Sequence, residues 1–235
     1  MRRDITLWPA DFPAAVFDFD GTLCETWQLW ERVDRAFFEE RGIPYDPSVA
    51  ATLNTLGFVG GAQWCVEAFG LRDDPRDVVD EWNRLGAALY EAEARLRPGA
   101  ADYVRALRGH GVRVALATTN VTEVLGRIRH DDVLGLFDAV VCGRDVMRGK
   151  DHPDIYLEAA RRLGADPRDC VAFEDIPEGI RSAQRAGMRA VAVRSDDPRQ
   201  PLDEMRLDAD LAIDGWEGLL PLATAGDGSG AADGS

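Results

Sequence analysis

Short runs of apolar residues alternate with longer amphipathic segments along most of the chain. Apolar runs of about four to eight residues, bounded by charged or turn-forming residues, are typical of strands buried on both faces of a parallel sheet. We predict five such strands, at residues 14–19, 112–118, 138–141, 170–173 and 190–193.

The segments between the later strands have apolar residues at helical spacing. Residues 98–108, 153–163 and 177–186 each begin with a proline, which suits the first helical turn, and Gly187 can cap the last of them. Alternating strands and helices predict an α/β fold with a Rossmann-like, doubly wound parallel sheet. Ligands of such sheets bind outside the carboxyl ends of the strands.

The interval between the first two predicted strands is far longer than a single crossover helix requires. It has no strong strand signal, and its apolar spacing predicts helices at residues 28–40, near 62–69 and at 75–96. We therefore predict that a helical segment is inserted above the carboxyl edge of the sheet, where it can act as a lid.

These elements divide the chain into a core and a cap. We predict an α/β core domain at residues 1–26 and 97–222, and a helical cap domain at residues 27–96. Residues 223–235 are small and polar, which predicts a disordered tail.

Composition narrows the possible partners and the compartment. The formal net charge is −15, which disfavours a nucleic-acid polymer as partner because such binding needs cationic contacts to phosphates. The four cysteines form no CxxC pair, so we expect buried free thiols in a reducing compartment. Since no apolar run has the length of a membrane span or of a signal peptide, we expect a soluble, cytoplasmic protein, as a monomer or weak homodimer.

The first predicted strand ends in two carboxylates. Asp18 and Asp20 are two residues apart, so both side chains can point to one site in extended chain, and Gly21 lets the backbone turn there. Two such carboxylates suit a divalent metal or an acid/base pair. An aspartate that caps a helix or stabilises a turn is the alternative.

Polar residues also follow the other predicted strands. Thr118 and Thr119 can bind phosphate oxygens or act as an ordinary helix cap. Lys150 precedes a helix, where an exposed lysine is common. Glu174 and Asp175, which are next to each other after a predicted strand, can equally be solvated. Each signal is weak alone, and the combination is far more specific.

In chain order, the strand ends supply Asp-x-Asp-Gly-Thr, a threonine, a lysine and a Glu-Asp pair. This order resembles the haloacid dehalogenase superfamily, in its phosphatase and phosphomutase branch. The β-phosphoglucomutase-like group, which has a helical cap between the first two motifs, looks most similar. The resemblance covers about residues 14–220.

The resemblance implies a role for each matching residue. Asp18 would be the nucleophile that forms an aspartyl phosphate, and Asp20 would be the general acid and base. Thr118 and Thr119 would bind the phosphoryl group, and Lys150 would neutralise charge between nucleophile and phosphate.

The resemblance also implies Mg²⁺ as cofactor and a small phosphorylated metabolite as partner. Asp175 would bind the metal together with the Asp18 carboxylate and the Asp20 carbonyl, and Glu174 would support this metal shell. An anionic nucleophile and an anionic phosphate repel by about 4 kcal/mol at ~4 Å and an effective dielectric near 20. A metal and a lysine reverse the sign of that interaction.

The branch of the superfamily depends on a few further residues. Asp20 favours phosphoryl transfer over dehalogenation, because a halide leaves without a proton. Trp30 stands where β-phosphoglucomutases usually have a histidine, and Gly60 lies near the position of their phosphate-binding arginine. Both departures favour a hydrolase, with a sugar phosphomutase or a catalytically quiet phosphate-binding regulatory protein as alternatives.

The predicted cap offers candidate substrate contacts at Glu25, Trp30, Phe58, Gly60 and Trp64. Aromatic residues at helical spacing are more often part of a hydrophobic core. The glycine-rich residues 57–61 predict a supple loop that sets specificity. We expect Asp151, next to the lysine, to cap the helix that follows.

Overall fold

The computed structural model describes residues 4–221, apart from the side chains at 51, 54, 55 and 57. The tail predicted at residues 223–235 lies outside the described residues. A parallel sheet of six strands forms the centre of the fold, in the order β3-β2-β1-β4-β5-β6. The strands are β1 (Ala14–Phe17), β2 (Arg113–Thr118), β3 (Ala139–Cys142), β4 (Cys170–Glu174), β5 (Arg189–Val193) and β6 (Leu211–Ile213).

The five predicted strands are present, and the α/β prediction of a doubly wound parallel sheet is confirmed. β6 is a sixth strand that the sequence analysis missed. It has three residues, and two of them are only partly buried at the edge of the sheet, so no extended apolar run marks it.

Helices connect the strands and cover both faces of the sheet. Four of them lie between β1 and β2, and four follow β2 along the chain. They are α1 (Trp27–Glu40), α2 (Ser48–Phe69), α3 (Pro75–Glu93), α4 (Ala100–Gly109), α5 (Thr122–Leu125), α6 (Asp154–Leu163), α7 (Pro177–Arg185) and α8 (Leu202–Asp208).

The loop predicted around the glycines at 57–61 is wrong, because this stretch is the middle of α2. A Cβ atom at Gly61 would lie 3.0 Å from a Leu53 side-chain carbon and 3.7 Å from the Trp82 ring. Gly61 therefore lets α2 approach the Trp82 ring closely. Packing of this kind outweighs the low helix propensity of glycine.

Alternate residues of each central strand enter different hydrophobic clusters on the two faces of the sheet. Phe17 and Phe173 belong to one cluster, and Val16 and Ala172 to the other. Phe17 and Phe173 stack with ring centroids 4.7 Å apart, and the Trp216 ring lies 5.4 Å from Phe173. This aromatic packing supports β1, which Asp18 follows directly, and β4, which ends at Glu174.

Helices α1, α2 and α3 have a hydrophobic cluster of their own, which includes Phe37, Phe38 and Trp82. The chain enters and leaves this segment side by side. Cys24 forms an isolated antiparallel bridge with Leu96, and the Arg97 amide donates a hydrogen bond to the Leu23 carbonyl at 2.8 Å. The boundaries of core and cap stay a prediction.

All four cysteines are free and buried. Within residues 4–221, no helix combines the length and apolar character that crossing a bilayer requires. The cytoplasmic location and the oligomeric state stay predictions.

The stacked aromatic pair should be a main source of stability. Phe173→Ala removes a fully buried ring and should lower the free energy of unfolding by about 3–5 kcal/mol, through lost burial and a new cavity. Met147→Ala is the control, since Met147 is 96% exposed and should change the value by less than about 0.5 kcal/mol. Chemical denaturation measures both, and equal effects would contradict the packing described.

Candidate active site

Strand β1 ends at the centre of the sheet, where its neighbours β2 and β4 carry the chain to opposite edges. Such a switch point opens a crevice at the carboxyl ends of the strands. The Asp18 amide donates to the Phe173 carbonyl at 3.0 Å, which places Asp18 directly above the central strands. Its carboxylate is buried.

Gly21 turns the chain after Asp20, with φ of +81°. A Cβ atom at this position would lie 1.9 Å from an Asp175 side-chain oxygen. Both the backbone conformation and the space therefore require glycine. The loop after β1 and the end of β4 approach each other only because this position lacks a side chain.

The Lys150 ammonium group connects the ends of β1 and β4. It donates to the Asp18 carboxylate, and it donates to Glu174 Oε1 at 2.6 Å. Burial acts to lower the pKa of Lys150, but the charges of Asp18 and Glu174 outweigh it and raise the pKa above its usual value. Lys150 is therefore a buried, charged lysine.

Three carboxylates are grouped at this site, and two of them contact the lysine. Asp18, Glu174 and Asp175 each offer one ligand oxygen, and these oxygens lie within 4.8 Å of one another. Burial, and then the charge of Asp18, raises the pKa of Asp175 well above its usual value. Burial raises the pKa of Glu174 to about 7, although Lys150 acts in the opposite direction.

This donor set fits a hard divalent cation such as Mg²⁺, which prefers carboxylate oxygens. Three carboxylates and one ammonium group leave an excess of negative charge. Glu174 Oε2 is buried without a hydrogen-bond partner among the described residues. A Cβ atom at Gly179 would lie 2.2 Å from that oxygen, so Gly179 makes room for the carboxylate.

Asp20 lies in a different environment from Asp18. Its Oδ1 accepts hydrogen bonds from the Thr26 hydroxyl at 2.7 Å, from the Tyr90 hydroxyl, and from Trp30 Nε1 at 3.4 Å. Its Oδ2 accepts a bond from Asn120 Nδ2 at 3.3 Å. Burial, followed by the charge of Asp18, raises the pKa of Asp20, although the donors act to lower it.

The sequence analysis missed most of these partners of Asp20. Thr26 and Asn120 lie near the motifs and could have been suspected from that position. Tyr90 is on α3, and nothing in its local sequence indicates a contact with Asp20. Trp30 was expected as a substrate contact, and it also donates to the Tyr90 hydroxyl at 2.9 Å.

The threonines after β2 are at the edge of the site. Thr118 is buried and its hydroxyl accepts a bond from the Asn120 amide at 3.0 Å. The alternative of an ordinary helix cap is wrong, because α5 begins after Val121 without a side-chain cap. Thr119 lines the cavity above Asp18. Their role in phosphate binding stays a prediction.

A cavity of about 220 Å³ lies above these residues, between the sheet edge and helices α1 to α3. Of the expected substrate contacts, Glu25, Trp30 and Phe58 line it, whereas Gly60 and Trp64 are not among its lining residues. The Trp64 ring packs against Phe69 at 5.6 Å, as part of the cluster between the helices.

Glu25 and Asp151 both line the cavity, and neighbouring residues contact the carboxylates of both. Glu25 forms an ion pair with Arg97 at 3.2 Å and accepts a bond from the Asp196 amide at 3.1 Å, so structural contacts occupy its carboxylate. The capping role expected for Asp151 is wrong. Helix α6 begins after Pro153 without a side-chain cap, because the Asp151 carboxylate lies 3.0 Å from His152 Nδ1 instead.

Proteins with similar sequences agree with the arrangement of the residues at the site. A model of the haloacid dehalogenase-like hydrolase family matches residues 12–187. A Drosophila melanogaster protein named probable pseudouridine-5'-phosphatase is 33% identical over 78% of this chain and 81% of its own length. Hexitol phosphatase B of Escherichia coli K12 is 30% identical over 85% of this chain and 93% of its own.

Solved structures agree with this result. A variant of CbbY from Rhodobacter sphaeroides, in complex with xylulose-(1,5)bisphosphate, superposes with a TM-score of 0.76 at 29% identity. The match covers 90% of this chain and 98% of that one. The matched family segment contains Asp18, Lys150 and Asp175 with the geometry described above, and the chain belongs to the haloacid dehalogenase-like hydrolase family.

Proposed function

We propose that the protein is a Mg²⁺-dependent phosphatase that hydrolyses a small organic phosphomonoester through an aspartyl phosphate on Asp18. The observation that carries the proposal is the pair of carboxylates in different environments. Asp18 contacts Lys150 beside the acidic group, while Asp20 accepts bonds from a separate set of donors. Relatives named as phosphatases of phosphorylated metabolites support it.

In the first step the Asp18 carboxylate attacks phosphorus, and the bond from phosphorus to the alcohol oxygen breaks. The carboxyl group of Asp20 gives its proton to that oxygen, so the alcohol leaves uncharged. In the second step a water molecule loses a proton to Asp20 and attacks phosphorus. The bond between Asp18 and phosphorus breaks, and inorganic phosphate leaves.

Lys150 reduces the repulsion between the nucleophile and the phosphate. Its charge is beside the Asp18 carboxylate, in a buried site where charges interact more strongly than in water. Asp18, Asp175 and the Asp20 carbonyl would hold the metal, with Glu174 supporting that shell. When bound there, Mg²⁺ supplies positive charge that stabilises the phosphoryl oxygens.

Asp20 needs a defined orientation to exchange a proton with the leaving oxygen. Its Oδ1 accepts bonds from Thr26, Tyr90 and Trp30, whereas Oδ2 has Asn120 as its described partner. We therefore assign Oδ2 to proton transfer. Two of the donors come from α1 and α3, so the inserted helices help to position the general acid.

Residues 27–96 act in this proposal as a cap over the core formed by residues 1–26 and 97–222. Their separate hydrophobic cluster and their contribution to the cavity walls support this division. Closure of a cap excludes bulk water from the reacting groups, apart from the water molecule that the second step consumes.

Removal of the nucleophile should abolish turnover. Asp18→Asn should lower kcat for p-nitrophenyl phosphate by on the order of 10³-fold or more, because the amide cannot form the aspartyl phosphate. Removal of Mg²⁺ with a chelator should have a similar effect, which added Mg²⁺ reverses. Asp80→Asn, an exposed change on α3, is the control. Full activity in Asp18→Asn would exclude the proposed nucleophile.

The hydroxyl of Tyr90 should matter most for poor leaving groups. Tyr90→Phe removes a donor to Asp20 and should lower kcat for an alkyl phosphate by about tenfold, as a charge-assisted hydrogen bond is worth about 1.5–3 kcal/mol. For p-nitrophenyl phosphate the loss should be much smaller, because its leaving group needs no proton.

The matched control is Tyr45→Phe, since the buried Tyr45 hydroxyl has no hydrogen-bond partner among the described residues. It should leave both rates unchanged. A loss in Tyr90→Phe that is equal for both substrates would contradict a role in protonating the leaving alcohol, and it would place the effect on the shared second step or on the structure.

A further inference from the structure

The part of the cavity wall formed outside the strand ends is aromatic and acidic. Helices α1 to α3 and the loop after β5 supply it, and the side chains that matter here are Trp27, Trp30, Asp34, Phe58, Trp82 and Arg199. This wall faces the part of a substrate that leaves as the alcohol, because the phosphoryl group is bound at Asp18 and Lys150.

Both cationic side chains among the described lining residues already have carboxylate partners. Lys150 contacts Asp18 and Glu174. Arg199 forms two hydrogen bonds with Asp197, both at 2.8 Å, and its guanidinium lies 5.7 Å from the Trp27 ring centroid. A second anionic group on a substrate would therefore meet no unpaired cation in this cavity.

Asp34 is the unusual member of the wall. It is 9% exposed, and no described side chain donates a hydrogen bond to it or forms an ion pair with it. Burial raises its pKa to about 7, against the effect of Arg199 and with a smaller contribution from Glu31. Asp34 lines the cavity, where its carboxylate has lost most of its hydration, so it is suited to accept a hydrogen bond from a donor on the ligand.

We propose that Asp34 determines specificity by accepting a hydrogen bond from the leaving alcohol, which must carry a donor and no negative charge. This inference rests on the proposed function and names its substrate class. Neutral polyol phosphates and amino-alcohol phosphates share the required chemistry. Phosphates that bear a carboxylate or a second phosphate do not, since they would face the Asp34 carboxylate across a low-dielectric cavity.

The proposal distinguishes this chain from the CbbY variant described above, whose structure contains a bisphosphate.

The aromatic wall fits the neutral polyol phosphates and amino-alcohol phosphates that we propose as substrates. The Phe58 ring is in edge-to-face contact with Trp30 at 5.1 Å and with Trp82 at 6.2 Å between centroids, and the three rings form an apolar part of the lining that also contains Asp34. Such a surface can pack against the carbon skeleton of a polyol.

Three two-carbon phosphates test the charge rule, because they differ only in the group that faces the wall. They are 2-hydroxyethyl phosphate, phosphoethanolamine and phosphoglycolate, with kcat/KM measured at about pH 8, where Asp34 is ionised. The neutral or the amino compound should exceed phosphoglycolate by at least about tenfold. Preference between those two identifies a polyol or an amino alcohol, and equal or faster hydrolysis of phosphoglycolate would overturn the proposal.

Variants of Asp34 test the residue itself. Asp34→Asn keeps size and removes charge, so the ratio of kcat/KM for phosphoglycolate to that for 2-hydroxyethyl phosphate should rise about tenfold, through KM rather than kcat. Asp34→Leu should raise KM for 2-hydroxyethyl phosphate. Asp80→Asn, exposed on α3, should change neither quantity. An unchanged ratio in Asp34→Asn would overturn the assignment.

A binding measurement separates this inference from the proposed reaction. Calorimetric titration of the same three phosphates into Asp18→Asn reports the cavity preference without turnover. Tighter binding of the neutral or amino compound supports the role of Asp34 even if the wild-type chain hydrolyses none of the three. Loss of hydrolysis with equal binding of all three would overturn it.

Discussion

The ammonium group of Lys150 lies between the carboxylates at the ends of the two central strands, and the geometry of the site depends on it. β1 and β4 are neighbours, so their registers bring Asp18 and Glu174 together whatever their charges. Among the described residues, Lys150 is the cation that contacts both. Loss of one partner from such a buried ionic group costs about 3–5 kcal/mol, because it leaves an uncompensated charge. With Asp175 added, the negative charge still exceeds the positive charge, which suits a divalent cation there.

The second carboxylate of the motif depends on residues far away in the chain. Asp20 is two residues from Asp18, yet its Oδ1 is surrounded by donors from the loop before α1, from α1 itself and from α3. The same short motif therefore places one carboxylate beside a cation and the other among neutral donors. In the proposed reaction, the nucleophile and the proton donor need this difference in environment. The inserted helices supply two of the four described donors to Asp20.

Local patterns were sufficient to predict five of the six strands and the polar residues that follow them. Asp18, Lys150 and Asp175 follow apolar runs, and parallel strands bring their carboxyl ends to one edge. The same reasoning could not find Tyr90 or Asp34, since each lies on an amphipathic helix and gains its meaning from packing between distant segments. The glycines of α2 were wrongly predicted to form a loop for a related reason. Close contact between helices decides their conformation, and the local sequence does not show this contact. β6 was too short to leave a pattern.

The side-by-side entry and exit of the helical segment at Cys24 and Leu96 has a consequence for how such an enzyme can diversify. A segment whose ends already meet adds little strain to the chain that it interrupts, because no gap in the sheet has to be closed around it. The helices can therefore be exchanged as a cassette, and another segment can be grafted onto the same two positions. Asp18 and Lys150 would remain at the carboxyl edge of the sheet, while residues such as Asp34 would move with the exchanged helices. In the proposed function, substrate choice and bond-breaking chemistry would thus be carried by separable parts of one chain.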